Sequence, residues 1–145
     1  MTNEEYARYA ASFAPRSKLL PDLLRAFLFG GLICCLGQLL GGVYARAGLD
    51  ARSAAAAVSI TLIFLGALLT GLGFYDDLAR LGGAGTLVPI TGFANAVVSP
   101  ALEFKSEGFV TGTAAKMFVI AGPVIVFGLT ASVVYGLILV LLGAG

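Results

Sequence analysis

Residues 81–102 read LGGAGTLVPITGFANAVVSPAL, a run of 22 residues without a formal charge that is broken by Gly82, Gly83, Gly85, Pro89, Gly92 and Pro100. It is long enough to cross a hydrocarbon core. A lipid-exposed helix does not tolerate such punctuation, because each freed backbone group must find its partner inside the protein or in a wet cavity. The stretch is therefore predicted as a broken, re-entrant element. Pro89 disfavours helical geometry at Val88, Thr91-Gly92 offers a cap, and a fresh helix is expected from Gly92 to about Glu107. Residues 92 to 102 would rise about 16 Å, roughly half of a ~30 Å core, which places the break near the bilayer midplane.

Working outward, three further stretches carry no charge: residues 26–45, 53–75 and 117–145. The chain has 145 residues, 59% hydrophobic and 12% charged, with a mean hydropathy of +0.97. Soluble domains are about 25% charged, so this is an integral membrane protein. The expected fold is all-α: three transmembrane helices plus the broken hairpin, preceded by a short amphipathic helix. Its parts are an N-terminal segment 1–20, a first span 21–45, a second span 53–75, the broken element 81–107 and a last span 116–143. In the N-terminal segment Asn3 is the expected cap, Tyr6, Tyr9 and Phe13 share a face, and Pro15 ends the helix. Pro21 suits the first helical position of the first span, Asp50 can cap the second, and Tyr75 is read as an interfacial aromatic.

Basic residues decide the sidedness. If 81–102 re-enters, Arg8, Arg16, Lys18, Arg25, Arg80, Lys105 and Lys116 share one side against Arg46 and Arg52, seven to two. A full crossing gives five to four. The positive-inside rule favours the hairpin with a cytoplasmic N-terminus. No cleavable signal is expected within residues 1–25, which hold charged residues and no apolar run.

Absences narrow the chemistry. There is no histidine, no phosphate-binding Gly-rich loop and no metal-ligand spacing, so neither an enzyme, a resident cofactor nor a metal is expected. A net charge of +1 with no basic run sets nucleic acid aside. Cys34 and Cys35 are adjacent in an apolar span and read as small packing residues. Close helix packing is expected at Gly37-x-x-x-Gly41 and at Ala67-x-x-x-Gly71, since van der Waals contact drives helix association in lipid.

The segment from Val88 through Pro89, Gly92, Asn95, Ser99-Pro100 and Glu103 to Gly108 resembles the signature of the sporulation membrane-protein family shared by stage V sporulation proteins AC and AEb. The N-terminal run Glu4-Glu5-Tyr6 to Pro15-Arg16-Ser17-Lys18, with Arg25-Ala26-Phe27 and Gly30 to Cys34, resembles the longer branch of that family. The resemblance implies a subunit of an oligomeric channel in the inner membrane of the endospore. That channel takes dipicolinic acid with calcium into the forming spore and releases it at germination. Membrane tension is the implied stimulus. AEb-like membrane subunits and a soluble dipicolinate-binding AD-like protein are the implied partners.

The residues themselves offer a site for such an anion. A half-helix start at Thr91 to Ala94 would aim amides and a positive dipole end into the membrane, and Asn95 could donate to the same carboxylate. The expected pathway residues are Pro89, Thr91, Gly92, Asn95 and Ser99, with Glu103, Lys105 and Glu107 at a cytoplasmic mouth or partner contact. Two bland readings stay open: a packed turn whose amides are satisfied internally, and a solvated charged helix end. A purely structural subunit would depend on Gly37 and Gly41 more than on Thr91 or Asn95.

Overall fold

The computed structural model describes residues 18–143 together with Thr2, Glu5, Tyr6 and Tyr9. Thr2 N–H donates to Glu5 Oε2 at 2.8 Å and Glu5 N–H to Thr2 Oγ1 at 3.3 Å, a reciprocal capping box. The expected cap Asn3, the expected face residue Phe13 and the expected stop Pro15 lie outside the described residues.

Three helices are long and apolar enough to cross a membrane: α1 (Leu19–Arg46), α2 (Ala51–Gly71) and a final run from Phe109 to Leu141. Helix α1 starts two residues before Pro21, which sits third in the helix. Proline loses nothing there, because amides of the first turn have no intrahelical partner. At the far end Gly48, at φ +93°, turns the chain, and Asp50 caps α2 by accepting from the amides of Arg52 at 3.1 Å and Ser53 at 3.2 Å. Gly37 faces Leu62 and Val58, Gly41 faces Val58, and the Tyr44 hydroxyl lies 2.6 Å from Thr61 Oγ1. The two glycine contacts descend along α2 as they ascend along α1, and the short connection from Ala47 to Asp50 leaves the two helices as an antiparallel hairpin. The Gly37-x-x-x-Gly41 face is thus used within the chain. The atoms nearest a methyl there are 3.6 to 3.8 Å away, ordinary contact rather than forced approach.

Helix α2 ends at Gly71, short of the expected Tyr75. Gly73, at φ +79°, allows its own amide and that of Phe74 to return to the carbonyls of Thr70 and Leu69, which closes the helix. Two short helices follow, α3 (Tyr75–Gly82) and the single turn α4 (Ala84–Leu87), and then α5 (Ile90–Glu103). The break expected between them is present, with altered details. Val88 is helical at φ −73° and ψ −41°, its amide held by Ala84, and the extended residue is Pro89, which is itself the N-cap of α5. Thr91 is therefore inside the helix and does not cap it. At the other end α5 stops at Glu103, before the expected Glu107, because a 3-10 turn over Lys105–Glu107 leads into Gly108 at φ +100°.

Helix α5 packs on α2, with Gly66 against Thr91 and Thr70 against Asn95. Both pairs are separated by 25 residues, so the contact advances in the same direction along both helices. The two run in the same sense, and the chain returns toward the end at which α2 finished. Gly66 lies five residues before the end of α2, so Thr91 sits about 8 Å in from that end, whereas the middle of the 21-residue helix lies about 16 Å in. The intervening residues are spent on the α2 turn and on α3 instead of on depth. A π-helical turn (Phe109–Ala114) then feeds α6 (Ala115–Leu141), which packs on α5 and continues through Pro123.

Candidate functional site

The buried centre of the molecule is the break. Helix α3 is amphipathic: Asp76, Asp77 and Arg80 face outward, while Tyr75 and Gly82 are buried. Tyr75, expected at the aqueous interface, is only 3% exposed and points inward. Its hydroxyl donates to the Thr86 carbonyl at 2.7 Å and shares a 3.0 Å hydrogen bond with the Thr91 hydroxyl. Thr86 is 2% exposed and Thr91 7%. These three residues floor an apolar cavity of about 310 Å³ between α1 and α2, walled by side chains such as Phe29, Leu36, Leu62 and Leu65.

Two of the amides expected to await an anion, those of Gly92 and Phe93, are engaged. Gly92 N–H and Phe93 N–H both return to the Pro89 carbonyl, at 2.9 and 3.3 Å. Gly92 is buried so closely under the break that a Cβ would collide with the carbonyls of Thr86 and Leu87. At the helix start these two amides are thus satisfied within the chain.

Further along α5 the arrangement differs. Its polar side chains are Thr91, Asn95, Ser99 and Glu103, one at every fourth position and none elsewhere in the helix. A four-residue step advances 40° past a full turn, so they form a ridge that winds from the buried break to the exposed end. Asn95 and Ser99 are half-buried and Glu103 exposed. Asn95 Oδ1 lies 2.9 Å from Thr70 Oγ1, whose single proton is shared between it and Gly66 O at 2.7 Å, and the amide NH₂ is the remaining donor. The spacing of four was visible in the sequence; the tie to Thr70 was not.

Glu103, Lys105 and Glu107 are exposed at the end of this ridge, and Lys116 Nζ lies 3.9 Å above the Phe104 ring. That cation–π contact gives Lys116 a definite partner within the chain. Among the described residues the one ion pair is Arg80 with Asp77, at 3.8 Å, and no cluster of three metal-ligating side chains occurs. Of the expected packing positions, Ala67 is half-buried, and Gly71 has open space where a Cβ would sit. The close approach on α2 falls instead at Gly66, whose Cβ would lie 2.8 Å from Thr91 O. The reason is rotation: Gly66, not Gly71, is on the side that meets α5.

The molecule is an all-helical membrane protein built around an interrupted helix. The family described as SpoVAC/SpoVAEB sporulation membrane protein matches residues 22–138, and the chain belongs to it. It is 45% identical over 141 residues to stage V sporulation protein AC of Bacillus subtilis (strain 168), covering 95% of this chain and 94% of that protein. No solved structure matches it.

Proposed function

We propose that this sporulation membrane protein is a subunit of an oligomeric channel in the spore inner membrane, one that admits dipicolinic acid with calcium to the forming spore and releases it at germination. Family membership supports the setting. The observation that carries the pathway is the polar ridge of α5, set on an interrupted helix among apolar spans. Irregular backbone and polar side chains within a membrane segment characteristically line a route for solute. Three spans cannot enclose such a route alone, so several chains contribute, with AEb-like subunits and a soluble AD-like dipicolinate-binding protein as the proposed partners. The N-terminus is cytoplasmic, α5 re-enters, Glu103, Lys105 and Glu107 form the cytoplasmic mouth, and tension in the bilayer is the proposed stimulus.

Asn95 tests the reading. Asn95→Asp keeps an oxygen to accept from Thr70 and replaces the NH₂ donor with negative charge. Spores carrying it should load and release dipicolinate at least tenfold more slowly, with Asn95→Ala milder, while the complex is recovered in parental amount. A second reading, an assembly subunit that does not line the route, is favoured by the internal partners of the Thr91 hydroxyl and of the Gly92 and Phe93 amides. Parental loading and release by fully assembled Asn95→Asp complexes would establish that second reading.

A further inference from the structure

The Tyr75 hydroxyl touches both sides of the break, through Thr86 on α4 before Pro89 and Thr91 on α5 after it. We infer that Tyr75 is the positioning residue that holds the pathway helix in its resting place, an inference that rests on the channel reading above. In a continued helix the Thr86 carbonyl would accept from the Ile90 amide, but the chain is extended at Pro89 and that bond is not made, so the carbonyl obtains its hydrogen bond from Tyr75. A phenol has one proton and a carbonyl only accepts, so the Thr91 hydroxyl supplies the proton of the second bond. The knot therefore closes only when α3, α4 and α5 are together.

Its surroundings make the knot consequential. All three residues are buried against an apolar cavity, where an unmade hydrogen bond has no water to replace it. Helix α3, which carries Tyr75, is held outward by Asp76, Asp77 and Arg80 and has a turn glycine at each end, Gly73 and Gly83. Displacing α3 along the membrane surface moves the phenol away from the break and releases the first polar residue of the α5 ridge. Tyr75 thus sets how readily the ridge is freed.

The full chain in lipid nanodiscs gives a direct test by amide hydrogen exchange. Tyr75→Phe removes the hydroxyl and leaves the ring in place. Exchange over residues 84–95 should accelerate about tenfold, the effect of losing one or two buried hydrogen bonds, while α1 and the first half of α2 keep parental rates. Thr91→Val should give part of that effect and add little to Tyr75→Phe, because both act on one knot. In spores, Tyr75→Phe should speed release of dipicolinate several-fold at unchanged complex abundance. Parental exchange over residues 84–95 in Tyr75→Phe overturns the inference. A deletion of this chain that leaves dipicolinate loading and release intact overturns the channel reading instead, and the exchange result stands apart from it.

Discussion

Gly66 is where two helix backbones meet. Added as alanine, its Cβ would lie 2.8 Å from the Thr91 carbonyl oxygen, 3.1 Å from Thr91 Cα and 3.3 Å from Ala94 Cβ, and none of those is the free end of a flexible side chain. The neighbours must shift as backbone, and overpacking of that kind costs about 1 to 3 kcal/mol. Gly71→Ala, five residues on, meets nothing within 4 Å and should change stability by no more than about 0.5 kcal/mol. Thermal unfolding of the two variants in one detergent should separate them, with Gly66→Ala several degrees lower. Equal Tm values would mean that α2 and α5 are not in contact at Gly66. The sequence reading took Gly71 and passed over Gly66, because a small residue announces a possible approach and says nothing about which side of the helix has a neighbour.

At the scale of elements, the signals that were legible are local ones. Asp50 followed by Ser53 marked the start of α2, and Gly82 to Gly92 marked the break, since capping and backbone freedom are properties of a few consecutive residues. What was illegible depends on residues distant in sequence: Tyr75 reads as an interfacial aromatic until α4 and α5 fold over it, and the short α3 is hidden by its adjacency to an apolar span. The Asp50 cap also makes a pH prediction. Hydrogen bonds from Ser53, side chain first and backbone next, hold its carboxyl below the ordinary value of 3.8. A depressed folded value means that the cap contributes its full stability above that ordinary value and loses it only as pH falls through the lower one. Protection of the Arg52 and Ser53 amides, corrected for intrinsic exchange, should therefore stay level from neutral pH to about pH 5 and decline only below pH 4, the range in which an aspartate is neutralised. In Asp50→Asn the decline should vanish. Loss of protection already at pH 6 would assign the cap to another group.

For the whole molecule, the decisive feature is that α2 and α5 run in the same sense. A chain that crosses with α2 and then runs with it again must first travel back inward, and residues 72–89 do so only to about the depth of Gly66. In a bilayer this leaves the end of α5 on the face where α2 ends, and α6 then crosses alone. The final helical run of 33 residues, about 50 Å, exceeds the core thickness and reaches both faces from Phe109. Lys105 and Gly143 should thus lie on opposite sides, Lys105 in the cytoplasm, in keeping with the seven-to-two distribution of basic residues. Single-cysteine variants at these positions, built on Cys34→Ala and Cys35→Ala because both native thiols are free and exposed on α1, can be treated with a membrane-impermeant maleimide. Gly143→Cys should react in intact cells and Lys105→Cys only after permeabilisation. Reaction of Lys105→Cys in intact cells, together with reaction there of Leu49→Cys in the loop between α1 and α2, would make α5 a full crossing, and the shared direction of α2 and α5 would then have to be abandoned along with the hairpin.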